Sequence, residues 1–234
     1  MKEHLPENYL NSIQKSKPGR NDLGHNPEVL FQTFAFERSI IRTLYKIDDF
    51  SSMKVLDIGC GDGGSLINLI KIGFDPANLA GIDILDDRIK SAKRKFPNIG
   101  FITGDAACLP FSDCQYDLVM ESTMFIQLTD DELCRSIALE MIRVTKKDGH
   151  IMLIDWRYSK PGNSKYDGLS KKRLKRLFEI DSSTELISVK NGALVPFIGR
   201  FISQRLPFLY FLIQALFPFM SGQVTYLLKK RDKN

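Results

Sequence analysis

Apolar positions along the chain change period at Met53. Before it, Val29, Leu30, Phe34, Ile40, Ile41 and Leu44 recur at near-helical spacing after the Asn26-Pro27 start signal, which predicts a helix from Pro27 to about Lys46. Residues 1 to about 26 are polar and broken by Pro6, Pro18, Gly19 and Gly24, an arm with room for one short helix around Tyr9 to Ile13. After Met53, short apolar runs alternate with amphipathic stretches: MKVLDI, Ser65 to Ile72, LAGIDI, Asp87 to Phe96, GFIT, YDLVME, Asp130 to Val144, and HIMLIDW. Such β-then-α repetition predicts an open, mostly parallel sheet covered by helices on both faces, with ligands at the carboxyl ends of the strands. A basic helix from Ser170 to Phe178 follows, then a strand at ELISVK, a segment from Ala193 to Met220 dense in Phe, Leu and Ile, and a closing strand at QVTYLLK.

Composition narrows the class without naming a function. The 234 residues, 43% hydrophobic and 26% charged, suit one elaborated globular domain and exclude collagenous, coiled-coil and wholly disordered chains. Cys60, Cys108, Cys114 and Cys134 form no CxxC pair, and His4, His25 and His150 lie far apart, so no zinc site is expected. His150 is expected to be a packed residue of the fifth strand. The polar start MKEHLPENYL lacks an apolar signal core, and a cytoplasmic chain with reduced thiols is the expectation. Net charge is only +5, but from Arg157 to Arg176 eight basic residues face one acid, Asp167. A solvated helix face accounts for these cations, and without interleaved aromatics nucleic acid is not an expected partner.

The chemistry sits in VLDIGCGDGGS, residues 55 to 65, an apolar strand running into glycines that open a helix. Gly59, Gly61 and Gly63 admit close backbone approach, and the helix N-terminus offers free N–H donors, so a nucleotide-like ligand is expected. Gly59, Gly61 and Gly64 also satisfy GxGxxG, with Asp83 twenty-two residues after Gly61 in the place of a dinucleotide's ribose acid. Asp57, at the strand end, discriminates between cofactors: it would repel a pyrophosphate and attract an ammonium or sulfonium.

With Asp57, Asp83 in AGIDI, Asp105 in GDAACLPF and the stretch to LPFSDCQYDLVMEST in order, the chain resembles class I S-adenosylmethionine-dependent methyltransferases of the quinone-biosynthesis type, over about Val55 to Asp155. The resemblance implies a Rossmann-like, doubly wound, mostly parallel seven-stranded sheet with an antiparallel edge, an N-terminal helix and a helical insertion before the last strand. It also implies S-adenosyl-L-methionine as cofactor, with Asp57 beside the methionine moiety, Asp83 on the ribose hydroxyls and Asp105 on the adenine amino group. The cofactor set it implies is Asp57, Gly59, Cys60, Gly61, Gly63, Asp83, Ile84, Asp105 and Ala106, with Cys60 as a small filler and no metal. The domains are read as 1–50, an N-terminal arm and helix serving as a cap, and 51–234, the methyltransferase domain with its apolar insertion at about 193–220.

Methyl transfer from a sulfonium needs alignment more than acid catalysis. A hydroxyl or amine acceptor would still gain from a base, and Glu121 and Asp155, expected on the substrate-facing loops after strands four and five, are the catalytic candidates. Arg157 and Tyr158 follow as substrate-binding candidates, with Asp117 as a turn cap. The acceptor is a small molecule or a lipid- or glycan-linked one. Two alternatives stay open: an NAD(P)-dependent oxidoreductase, and a regulatory or scaffold protein that binds the cofactor without turnover. Leu206 to Leu228 holds 23 consecutive uncharged residues, interrupted by Pro207 and Pro218 and flanked by Arg200, Arg205 and KKRDK. Three readings of this segment stand: a pocket roof packed on the core, an interfacial membrane contact, and a membrane span. Sequence leaves the acceptor atom and the oligomeric state open.

Overall fold

The computed structural model describes residues 26–47, 49–160 and 162–232. The expected helix at Tyr9 to Ile13, with His4 and His25, lies outside them. Seven strands, β1 (Val55–Ile58), β2 (Leu79–Asp83), β3 (Gly100–Thr103), β4 (Tyr116–Ser122), β5 (Thr145–Trp156), β6 (Thr184–Asn191) and β7 (Gln223–Lys230), join in the order β3-β2-β1-β4-β5-β7-β6. The first five are parallel to one another, and β7 runs antiparallel to both β5 and β6. The antiparallel edge expected from ELISVK and QVTYLLK is therefore present, with β7 inserted inside β6.

Side-chain alternation along the strands divides the core into two layers. Leu56, Ile58, Val119, Ile151 and Leu153 face α4 (Asp131–Val144) and α5 (Lys171–Leu177). Val55, Leu118, Met120, Met152 and Ile154 face the other way, toward α1 (Leu30–Leu44), α2 (Gly64–Lys71) and α3 (Asp86–Lys95). A 3-10 turn at Pro27–Val29 precedes α1, as the Asn-Pro start implies. Phe34 of α1 is exposed, whereas Ser39 is buried and its hydroxyl meets that of Thr225 on β7 at 2.8 Å. His150 is half-buried on β5, and burial lowers its pKa.

The basic helix departs from the solvated face expected of it. Lys171, Lys172, Lys175 and Arg176 are exposed, but Arg173 is only 4% exposed. Its guanidinium donates to Asp131 Oδ1 (2.9 Å) and to the carbonyls of Leu128 (2.7 Å) and Asp167 (2.6 Å), tying α5 to α4 and to the chain after β4. A charge run does not reveal which of its members will meet three acceptors in the fold.

Between β6 and β7 the apolar insertion folds as α6 (Pro196–Arg205), a 3-10 turn (Pro207–Leu209), α7 (Tyr210–Leu216) and a second turn (Pro218–Met220). Leu194, Ile202 and Tyr210 pack on Ala35 of α1. Proline restarts the chain at each break, which replaces the membrane span by two short helices. Among the described residues no helix is long and apolar enough to cross a membrane.

Candidate functional site

The glycine loop joins β1 to α2 with Gly59, Gly61 and Gly63 all at positive φ. Two of these positions are also closed to a side chain. A Cβ on Gly59 would lie 2.9 Å from Met124 Sδ, and one on Gly63 would lie 2.9 Å from the rings of Phe96 and Phe101. Gly61, by contrast, has only the flexible tip of Arg88 nearby, at 3.3 Å. The loop is pinned from the next strand: Gly59 and Cys60 N–H donate to Ile82 O, and Gly61 N–H donates to Asp83 Oδ2 (2.9 Å). Asp83 Oδ1 accepts from Leu85 N–H (2.9 Å), so this 6%-exposed carboxylate fixes both the loop and the end of β2. Asp105 Oδ1 accepts from Ala107 N–H (2.8 Å) in an Asx turn.

Gly59, Asp83, Ile84, Asp105 and Ala106 line one cavity at the carboxyl ends of β1, β2 and β3, closed by Met124 and Leu128. Asp57, Cys60, Gly61 and Gly63 do not reach its wall. Cys60 packs within 2.7 Å of where a Cβ on Gly81 would stand, and burial raises its thiol pKa, the signature of an inert filler. Asp57 is fully buried, its Oδ2 accepting from Ser65 Oγ while Oδ1 has no partner, and desolvation raises its pKa to about 7. A buried carboxylate oxygen without a partner among the described residues, beneath a loop closed to side chains at Gly59 and Gly63, fits a ligand bearing a cationic group.

A second cavity, of about 760 Å³, opens beyond the ends of β4 and β5. Its wall draws on Gln32 of α1, Thr123, Ile126 and Gln127 after β4, Trp156 at the end of β5 with Tyr158, Ser159, Lys160 and Tyr166 beyond it, Val195, Pro196 and Arg200 of the insertion, and Gly222. The cavity thus lies where α1, the insertion and the ends of β4 and β5 meet. Of its wall the sequence singled out Tyr158 as a substrate-binding candidate. Arg157 is turned away, donating to Asn191 Oδ1 (2.6 Å). Trp156, Gln127 and Gln32 carry no local motif and are united only by the fold.

The chain from Thr123 to Leu128 separates the two spaces. Met124 and Leu128 face the first cavity, and Thr123, Ile126 and Gln127 face the second. Two buried carboxylates hold this partition from behind. Glu121 Oε2 accepts from Met124 N–H (2.9 Å), and Asp155 Oδ2 accepts from Ile126 N–H (2.9 Å) while its Oδ1 accepts from Trp156 N–H (2.7 Å). Neither carboxylate lines a cavity, and both are 0% exposed. Burial, and then the repulsion of Asp155, lifts Glu121 well above the ordinary carboxylate range; burial lifts Asp155 to about 7. Asp117, read as a turn cap, accepts from Lys54 N–H (2.9 Å) and pairs with Lys146 (2.7 Å). Among the described residues no cluster of His, Cys, Asp and Glu is arranged to hold a metal.

Known proteins resemble this chain on the same segment. It is 32% identical over 105 residues to a demethylmenaquinone methyltransferase of Renibacterium salmoninarum, covering 45% of this chain and 42% of that protein. It is 34% identical over 113 residues to a fatty-acid O-methyltransferase of Mycolicibacterium smegmatis, covering 47% and 39%. The chain thus spans about two fifths of the length of these curated relatives. Its fold matches the crystal structure of geranyl diphosphate C-methyltransferase from Streptomyces coelicolor, in complex with S-adenosyl-L-homocysteine, at a TM-score of 0.59, with 15% identity over 84% of this chain and 81% of that one. The family described as a methyltransferase domain matches residues 49–191, more than half of the chain and all of the glycine loop, the strand-end acids and the partition. The chain accordingly belongs to the methyltransferase-domain family, with the class I S-adenosylmethionine-dependent fold that its loop and acids resemble.

Proposed function

We propose that this protein transfers the methyl group of S-adenosylmethionine to a small apolar or lipid-linked acceptor seated in the large cavity. The observation that carries the reading is the single partition, Thr123 to Leu128, with a cofactor-type cavity on one side and an apolar acceptor-sized cavity on the other. The cofactor, when bound, supplies a methyl group already activated by a cationic sulfur. The chain's own residues then have to hold two reactants in line and exclude water, tasks for which positioning alone is worth on the order of 7 to 11 kcal/mol. In this reading Asp83 and Asp105 hold the adenosine and Asp57 answers the cationic end. Gly59, Gly61 and Gly63 give backbone access, with Cys60, Ile84 and Ala106 as packing neighbours. Tyr158 contacts the acceptor. Glu121 and Asp155 act as positioning residues that set the partition, rather than as bases. The described helix of the N-terminal region, α1, serves as a cap on the acceptor cavity through Gln32.

The reading extends to a peripheral membrane contact through 193–220, where Phe197 is 86% and Phe208 75% exposed beside Arg200 and Arg205. Calorimetry with S-adenosylmethionine and with NADH, followed by transfer of labelled methyl to lipid extracts, tests the function. Binding of the first cofactor alone, with label entering an extractable apolar product, is the expected result. Binding of NADH alone would overturn it in favour of an oxidoreductase.

A further inference from the structure

The large cavity is apolar in bulk, yet its charges are all of one sign. Lys160 and Arg200 line it, and no carboxylate is among the described residues of its wall. Neither cation has an ion pair among the described residues, although Lys160 Nζ sits 5.7 Å from the ring centre of Tyr166. Of the acids nearest Lys160 along the chain, Asp155 is buried and accepts from Ile126 and Trp156 N–H, and Asp167 is engaged by Arg173 (3.4 Å) and Ser159 (3.1 Å). Two buried donors are also left over: Arg200 Nε and Gln32 Nε2 have no hydrogen-bond partner. Gln32 Nε2 lies against the helix that carries Arg200, 3.1 Å from where a Cβ on Gly199 would stand. Donors without acceptors are costly to bury, and two of them on residues that line a cavity with no carboxylate on its described wall call for an acceptor that arrives with the ligand.

We infer that the large cavity takes an anionic amphiphile, whose carboxylate or phosphate head meets Arg200, Gln32 and Lys160 and whose hydrocarbon part lies along Ile126, Trp156 and Pro196. A guanidinium is suited to either head because its planar donors match paired anionic oxygens. A cationic or neutral ligand of the same length would leave the donors unmet. This deepens the acceptor reading above and rests on it for catalytic meaning, but the binding itself needs no methyl transfer.

Trp156 makes the test direct, since it is the chain's one tryptophan and lines the cavity. Laurate, dodecyl phosphate, dodecanol and dodecylamine, each below its micelle concentration, are titrated into the full chain while tryptophan emission is followed. Laurate, dodecyl phosphate or both should shift the emission saturably and bind about tenfold tighter than dodecanol, the value of one charge-assisted hydrogen bond. Which head wins separates a carboxylate source from a phosphate one. Arg200→Gln and Lys160→Gln should each erode that advantage, with circular dichroism and S-adenosylmethionine binding unchanged. Equal affinity for dodecanol, no response to any of the four, or an unaltered preference in both variants would overturn the inference. Loss of cofactor binding in the wild type, with the anion preference intact, would instead count against the methyltransferase reading alone.

Discussion

Glu121→Gln separates a carboxylate that positions the partition from one that does chemistry. The substitution removes an ionisable proton and keeps a carbonyl oxygen to accept from Met124 N–H. Burial already holds Glu121 well above the ordinary range and Asp155 near 7, against 3.8 for a free aspartate. A carboxyl whose pKa is raised by folding keeps its proton in the native state when the unfolded chain has released it. Its contribution to stability is therefore complete below about pH 4, falls as pH rises toward 7, and is flat above that. For Asp155 the interval is about three pH units, which at roughly 1.4 kcal/mol per unit sets a ceiling of about 4 kcal/mol. Gln at 121 cannot ionise, so the share of that fall which the buried Glu121 carboxyl itself contributes disappears and the pH dependence becomes shallower. Asp57, also raised to about 7, contributes equally to both proteins and cancels in the comparison.

Urea unfolding at pH 5, 6, 7 and 8 measures the slopes, and single-turnover transfer measures the chemistry. The expected result is a shallower pH dependence for Glu121→Gln and a rate within about threefold of wild type, since general-base loss characteristically costs 10² to 10⁴. Parallel slopes would refute the electrostatic argument. A hundredfold loss of rate in a folded variant would return Glu121 to the role of base. Glu121→Ala should behave differently again, losing about 1 to 3 kcal/mol at every pH because Met124 N–H is left without an acceptor.

Asp83→Ala should weaken S-adenosylmethionine binding by about 1 to 3 kcal/mol by calorimetry, and it should also lower the melting temperature, because Gly61 and Leu85 N–H lose their acceptor; unchanged affinity would remove Asp83 from the site. Gly63→Ala should cost about 1 to 3 kcal/mol in urea unfolding, since its Cβ meets two rings at positive φ, and wild-type stability would sink the packing argument. Arg173→Met should cost about 2 to 4 kcal/mol by the same measurement, as it leaves buried carbonyls unpaired and Asp131 without one of its cations. Anionic vesicles should co-sediment the protein at low salt and less at high salt, with Phe197→Ser and Phe208→Ser reducing the pellet; no pelleting at either salt would remove the membrane contact.

The sheet was legible because its signals are local: each apolar run and each following amphipathic stretch declares its own period. The cofactor-type cavity was legible for the same reason, since Gly59, Asp83, Ile84, Asp105 and Ala106 each stand at a strand end. The acceptor-type cavity was not, because Gln32, Thr123, Trp156, Arg200 and Gly222 come from five separate stretches, none with a pattern of its own. Glu121 and Asp155 show how a readable signal is missed. Counting by twos from Val119 and from Leu153 puts both on the α4 face of the sheet, under the loop rather than in front of it. Read as residues of the loops after the two strands they looked like bases, whereas both lie within the strands, β4 running to Ser122 and β5 to Trp156.

The apolar insertion shows why a pocket roof and a surface contact need not compete. A helix has two faces, and α6 uses one for each purpose. Gly199 and Ile202 turn inward to α1, while Phe197 and Phe201, one turn apart, are 86% and 58% exposed. In α7 Tyr210 and Gln214 are buried, Tyr210 accepting from Leu194 N–H (3.0 Å), and Leu212 and Leu216 are exposed. The inward residues fix the roof over the large cavity whether or not anything touches the outside. The outward ones leave two aromatic and two aliphatic side chains exposed, which no packing among the described residues repays. Arg200 stands at the junction, on the cavity wall and beside the exposed aromatics. An amphiphile whose head is drawn by Arg200 would therefore reach the cavity from the same side that the exposed face presents to a membrane.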